Sequence, residues 1–161
     1  MVYYKKKWFL DAVILVDFSQ TKPAALKLEN LGRIGHYSGL ENYKFISVDL
    51  EYFSTSYRVF KNGKSLGYID INSFRNGAVI NFVEKGSYSF YYEGLFSGKW
   101  ILRKDLFLLE GSKGEIFLHE ADYEGLELLI ACSLFVLTKI KRDLLLIAPF
   151  ILLFIIFLLL V

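Results

Sequence analysis

The chain has 161 residues, and its mean hydropathy of +0.37 reflects an apolar excess that is concentrated in the last quarter. The net charge is only +2, and the bases are scattered among acids without the one-sided stripe that nucleic-acid binding requires. A single cysteine, Cys132, excludes an intramolecular disulfide and a thiolate metal cluster. The length fits one ordinary domain, or a smaller domain with a membrane segment.

Two segments near the N-terminus predict β-strands. In MVYYKKKWFLDAVILVDFSQ, three lysines precede an apolar run, as they do in a signal peptide. Asp11 interrupts this run, however, and no site with the small residues needed for cleavage follows it. We therefore predict strands at VYYKKKWF and AVILVDF rather than an export signal.

Residues 21–42, TKPAALKLENLGRIGHYSGLEN, have the weakest pattern in the chain. Residues 24–30 have the composition of a short helix. The glycine-rich remainder is typical of loops around one or two edge strands, of which KLENLGRIGHY is a candidate. We predict an irregular segment here.

From about residue 43 onwards, short runs rich in aromatic and β-branched residues alternate with turn signals. The turn signals lie at residues 62–63, 76–77, 97–98 and 111–114. The first two are Asn-Gly pairs, which favour tight hairpins because both residues tolerate a positive φ. The regular spacing predicts an antiparallel meander that forms a barrel or a sandwich.

The chain ends in two apolar runs. Residues 144–161, LLLIAPFILLFIIFLLLV, contain no charged or polar side chain and approach the 20 or so residues that a membrane-spanning helix needs. Pro149 is tolerated in such a helix if a neighbour satisfies the freed carbonyl. We predict a transmembrane helix here.

The earlier run, residues 124–141, is shorter in its apolar part. Only residues 128–137 are apolar throughout, apart from Ser133, with acids before them and bases after them. This charge distribution suits the dipole of a helix, and its short apolar length fits burial in protein better than a crossing of the bilayer. We predict a buried core helix at about 124–141.

Three segments together resemble the tubby C-terminal-like superfamily, which includes the phospholipid scramblases and the LURP-one-related proteins. They are YRVFKNGKSLGYIDI, FSGKWILRKDLFLLEGSKGEIFLHE and DYEGLELLIACSLFVLTKIKR, and the resemblance covers about residues 43–142. It implies a mainly β fold, in which a closed antiparallel β-barrel of about twelve strands surrounds a central hydrophobic helix. The barrel domain would span residues 1–142, and a C-terminal transmembrane helix at 144–161 would be its tail anchor.

The resemblance brings no specific activity with it. The basic phosphoinositide pocket of tubby proteins has no residue-by-residue counterpart here, and the calcium-binding motif and cysteine-rich tract of the scramblases are absent. We therefore predict a non-enzymatic module that binds membrane lipid or a membrane protein, with no cofactor, no metal and no nucleic-acid partner. An enzyme with an unrecognised site is a residual possibility.

The segment His119-Glu120-Ala121-Asp122 comes closest to a metal-binding motif, because it combines a histidine with carboxylates. The zinc motif HExxH needs a second histidine where Tyr123 stands. We predict a turn that leads into a helix, with Asp122 as its N-cap.

Three further patterns indicate structure rather than chemistry. Gly63-Lys64-Ser65 imitates the end of a P-loop, but the first glycine of that motif is missing and a hairpin is predicted instead. Cys132 lies among apolar residues, where burial raises the pKa of a thiol and makes it unreactive. The aromatic run at residues 88–92, with Phe107, has acids nearby rather than phosphate-binding bases, so we predict core packing.

The cluster Lys139, Lys141 and Arg142 directly precedes the apolar tail. At headgroup level, each base near an anionic surface contributes about 1 kcal/mol. Bases on this side also favour a single-pass membrane protein with its N-terminal domain in the cytoplasm. The alternative is an integral membrane protein with a two-helix hairpin, 124–141 and 144–161, under a small β-sandwich.

Overall fold

The structure, a computed structural model, describes residues 2–7, 13–17, 24–48, 55–72, 76–94, 97–112, 114–118 and 125–160. This part of the chain forms twelve β-strands, one turn of 3-10 helix, η1 (Asn30–Gly32), and one α-helix, α1 (Leu126–Leu160). The strands are β1 (Val2–Lys7), β2 (Val13–Asp17), β3 (Ala24–Glu29), β4 (Ile34–Ser38), β5 (Asn42–Ser47), β6 (Ser56–Lys61), β7 (Lys64–Asn72), β8 (Gly77–Phe82), β9 (Gly86–Tyr92), β10 (Trp100–Lys104), β11 (Phe107–Ser112) and β12 (Glu115–Leu118).

The strands form an antiparallel meander in which each strand pairs with the next one along the chain. Ten of them, β3 to β12, form a continuous sheet, and β1 and β2 pair with each other beside it. β2 pairs with β3, and β1 pairs with β12 through Val2↔Ile116 and Tyr3↔Glu115. The mainly β fold predicted from the sequence, with an apolar C-terminal helix, is confirmed.

Residues with positive φ mark the predicted turns. Asn62 and Gly63 have φ values of 50° and 80° between β6 and β7, and Asn76 has a φ of 51° directly before β8. Gly98 precedes β10 with a φ of 65°, and Gly114 joins β11 to β12 with a φ of 94°. Glycine and asparagine adopt this left-handed backbone at little cost, which explains why the chain reverses at these positions.

The prediction of an irregular segment is wrong for residues 24–42, although the candidate strand KLENLGRIGHY covers the end of β3 and most of β4. The part that resembled a short helix is strand β3, and β4 follows it after η1. Alternate side chains of β3 are fully buried, namely Ala24, Leu26 and Leu28. Burial at period two requires a strand, and this packing outweighs the local helix propensity of alanine and leucine.

Helix α1 joins the two apolar runs that the sequence analysis had separated. It continues without a break through Arg142 and Asp143. Every side chain at residues 128–140 is buried, whereas nearly all side chains at residues 145–159 are exposed. The alternative of a two-helix hairpin needs a reversal of the chain near residue 142, and the continuous helix does not contain one.

Phe135 anchors the buried half of α1 to three strands. Its ring stacks on Phe45 of β5 with centroids 4.4 Å apart, and it meets Tyr57 of β6 edge-on at 4.9 Å. Gly35 of β4 makes room for it, because a Cβ at that position would lie 2.8 Å from the Phe135 ring. Cys132, one turn earlier, is fully buried, in agreement with its predicted packing role.

We expect Phe135→Ala to lower the free energy of unfolding by about 3–5 kcal/mol, because it leaves a cavity between the helix and three strands. The control is Phe154→Ala, since Phe154 is 62% exposed on the second half of α1. Thermal unfolding of both variants in detergent micelles measures the difference. Equal melting temperatures would contradict the enclosure of the helix by the sheet.

Candidate membrane-attachment site

The two ends of the buried half of α1 lie against opposite ends of the sheet. Glu127, in the first turn of α1, contacts the β4–β5 turn, and Lys139 contacts η1 between β3 and β4. Because successive strands alternate in direction, these two connections lie at opposite ends of the sheet. We call the end with the turns at residues 39–41, 62–63, 83–85 and 105–106 the entry rim. The end with residues 30–33, 48, 76, 93–94, 97–99 and 114 is the exit rim.

The structure brings the predicted basic cluster to the exit rim, but its members differ in environment. Lys139 is 1% exposed and forms an ion pair with Asp143, with 2.5 Å between Nζ and Oδ1. Lys141 is half-buried, its Nζ lies 5.2 Å from the centroid of the Tyr92 ring, and burial lowers the pKa of its ammonium group. Arg142 lies against η1, where a Cβ on Gly32 would be 3.2 Å from its Nη1.

The Lys139–Asp143 pair marks the boundary between the two halves of α1. It spans one helical turn, and both side chains lie inside the domain rather than at its surface. Two residues later, Leu145 is 43% exposed. A buried pair of this kind is tolerated because each charge compensates the other, and removing either partner leaves an isolated charge. Lys139 is therefore part of the packing, whereas Lys141 and Arg142 reach the surface.

At the entry rim, one carboxylate joins the start of α1 to the sheet. Glu127 accepts hydrogen bonds from the backbone N–H groups of Leu40 at 2.8 Å and Glu41 at 3.2 Å, and from the Tyr37 hydroxyl at 3.3 Å. Burial, assisted by the Glu127 charge, raises the pKa of Tyr37, and the same two causes raise that of Tyr43. Both phenols therefore stay neutral at physiological pH, so they act as hydrogen-bonding and packing groups.

A groove runs along the entry rim beside the helix start. It consists of two adjoining cavities of about 190 and 370 Å³, which share Leu66, Lys85 and Leu128. Its lining combines leucine and aromatic side chains with lysines and glutamates. Among the side chains that the structure describes outside α1, the three most exposed large apolar ones lie at turns of the same rim: Leu106 (91%), Val83 (84%) and Leu40 (68%). This surface suits contact with an amphipathic partner.

The other chemical candidates have structural roles or lie outside the described residues. The segment from His119 to Asp122 is outside them, and the described residues contain no group of three or more histidines, cysteines or acids that could hold a metal ion. Lys64 begins strand β7, so the P-loop imitation is a hairpin. Burial raises the pKa of the Cys132 thiol, which keeps it protonated.

The aromatic run on β9 packs into the core as predicted. Tyr88, Phe90 and Tyr92 are buried, and Phe90 stacks on Trp100 with centroids 5.7 Å apart. Tyr91 points outwards and is 53% exposed, as the alternation of a strand requires. The side chain of Phe107 is not among those described.

Comparisons with known proteins find no matching family, no matching curated protein and no matching solved structure. The resemblance to the tubby C-terminal-like superfamily therefore stays a prediction.

The sequence analysis did not identify Asp143 or Glu127 as functional partners. A signal existed for Asp143, because Lys139 and Asp143 are four residues apart and lie on one helix face. No local signal existed for Glu127, since its partners at residues 37, 40 and 41 are distant in sequence.

We expect Asp143→Asn to destabilise the domain by about 3–5 kcal/mol, because it leaves the Lys139 ammonium buried without a compensating charge. The double variant Lys139→Met, Asp143→Asn should recover most of this loss, since it removes both charges and changes the side-chain volumes little. Thermal unfolding in detergent micelles measures both variants. A double variant as unstable as the single one would show that packing, rather than charge compensation, is the role of these residues.

Proposed function

We propose that this protein is a non-enzymatic β module, anchored on the cytoplasmic face of a membrane by residues 144–160 of α1, that binds lipid or a membrane protein. The observation that carries this proposal is the change in burial along one continuous helix. Residues 128–140 are enclosed, whereas residues 145–159 display bare leucine, isoleucine and phenylalanine side chains. By length and composition α1 is able to cross a membrane.

Closure of the sheet into a tubby-like barrel around the first half of α1 is part of the proposal. The pairing of β1 with β12 and of β2 with β3 supports it. Contacts of α1 with strands on different sides also support it, since Phe135 meets β5 and β6 while Lys141 meets β9. A closed barrel leaves no unpaired strand edge, which is an advantage for a domain beside a membrane.

The non-enzymatic role is supported by the partners of three charged side chains on α1. The charge of Lys139 compensates that of Asp143. Glu127 accepts three hydrogen bonds, which join the start of α1 to β4 and the β4–β5 turn. Groups that are satisfied in this way stabilise the fold and are not poised for proton transfer. The module would act by contact, through its rims or its outer wall.

Deleting residues 144–161 while retaining Asp143 should release the protein into the soluble fraction. The deletion removes the exposed apolar side chains, and the enclosed half of α1 stays inside the sheet. Membrane fractionation of the full chain and the shortened chain measures the change, and size-exclusion chromatography without detergent tests whether the shortened chain is monodisperse. Aggregation that only detergent relieves would contradict the proposal, because the first half of α1 would then also require lipid.

The orientation has a separate test. Lys139, Lys141 and Arg142 precede the membrane segment, and a base at the centre of a bilayer costs about 2.5–3.5 kcal/mol on insertion scales, so the β domain should stay in the cytoplasm. Protease added to the cytoplasmic side of sealed vesicles should digest the domain. Vesicles of the opposite sidedness are the control. Protection from the cytoplasmic side with cleavage from the other side would show that the orientation is reversed.

A further inference from the structure

The buried and the exposed halves of α1 meet without a linker. Asp143 is still enclosed, and Leu145 is exposed. At 1.5 Å per residue the two positions differ by about 3 Å along the helix axis, whereas the headgroup layer on each side of a bilayer is roughly 5–7 Å thick. If α1 crosses the membrane as proposed above, the exit rim has to lie within the headgroup layer.

The helix also fixes the orientation of the β domain. A flexible linker would let the domain move away from the bilayer, but α1 is hydrogen-bonded through the boundary. The buried half is held at both ends, by Glu127 at the entry rim and by Lys139 against η1 at the exit rim. The domain therefore stands on its exit rim, with the entry rim turned away from the membrane.

The charges of the two rims differ in the way this orientation requires. On the described part of the exit rim, its flanking strand ends and the adjoining turn of α1, five bases face four acids: Arg33, Lys99, Lys139, Lys141 and Arg142 against Glu29, Glu93, Glu115 and Asp143. Three of these acids are already in ion pairs: Glu29 with Lys27 at 3.0 Å, Glu93 with Lys99 at 3.4 Å, and Asp143 with Lys139. On the entry rim four bases are balanced by four acids: Lys61, Lys64, Lys85 and Lys104 against Glu41, Glu84, Asp105 and Glu127.

We propose that the exit rim is a lipid-contact surface, on which Lys141 and Arg142 bind the headgroups of anionic phospholipids and Val48 lies in the interface. This inference rests on the proposed membrane crossing of α1. Lys141 is half-buried, and its Nζ lies over the Tyr92 ring, which holds the side chain at the rim. Val48, which is 55% exposed, directly follows β5 at the same rim. Bases and amphipathic side chains at this depth are typical of a membrane interface.

Site-specific quenching in lipid nanodiscs tests the inference on the full chain. Cys132 is fully buried and its raised pKa makes it unreactive, so a fluorophore attaches selectively to an introduced cysteine. Val48→Cys reports the exit rim, and Leu106→Cys, on the entry rim and 91% exposed, is the matched control roughly 15–25 Å farther from the bilayer. We expect lipids with a quencher on the headgroup to quench the label at position 48 strongly and the label at position 106 very little.

A third label separates this inference from the proposed function. Leu152→Cys lies on the exposed half of α1, and a quencher on the acyl chain should reach it if the helix crosses the bilayer. If position 152 is not quenched, the proposed function fails and this inference fails with it. If position 152 is quenched and position 48 is not, the inference alone is wrong. If position 48 is shielded from both lipid and aqueous quenchers, another copy of the chain covers the rim, which also overturns it.

A charge-matched pair of variants tests the preference for anionic lipid. In mixed nanodiscs, energy transfer from the label at position 48 to a labelled anionic lipid measures its enrichment at the rim. Lys141→Gln with Arg142→Gln should reduce the enrichment to the level of a zwitterionic lipid. Lys64→Gln with Lys85→Gln removes the same charge from the entry rim and should leave it unchanged. An equal loss in both pairs would show that net charge, rather than the exit rim, attracts the lipid.

Discussion

Each strand of this domain has to bury one of its faces, and the first half of α1 provides the surface against which several of them do so. Phe135 alone contacts side chains of β5 and β6 and fills the space that Gly35 leaves on β4. A helix that is apolar on all sides can pack against strands on every side, whereas an amphipathic helix can pack against strands on one side only. The meander, the burial alternation along the strands and the position of both rims all depend on this enclosure.

The environment of the same helix changes within a few residues. Protein side chains surround it up to Asp143, whereas from Leu145 onwards its apolar surface is exposed, and in the proposed arrangement lipid would cover it. The Lys139–Asp143 ion pair lies at this transition. A purely apolar helix could slide along its axis at little cost, and the buried pair opposes such sliding. An internally compensated pair fixes the register of the helix in the sheet, because a shift along the axis would bring the charges among apolar side chains.

The two rims differ because they have different neighbours. The entry rim joins the helix start to the β4–β5 turn through Glu127, balances its charges, and exposes Leu40, Val83 and Leu106 around a groove. The exit rim carries the excess of bases and the point from which α1 leaves. In the proposed arrangement the domain stands on its exit rim, so the entry rim would face the aqueous phase and stay accessible.

The features that neighbouring residues encode could be predicted from the sequence. Asn62-Gly63 predicts the β6–β7 hairpin because both residues accept positive φ, and the uncharged run after residue 143 predicts an apolar helix because apolar length is a local property. The burial of Lys139 was not predicted, and the membrane role of the basic cluster stays a prediction. Long-range packing determines that β3 is a strand, that α1 is one helix, and that Glu127 binds a distant turn. These outcomes depend on packing between residues far apart in the sequence, and this packing outweighs local propensity.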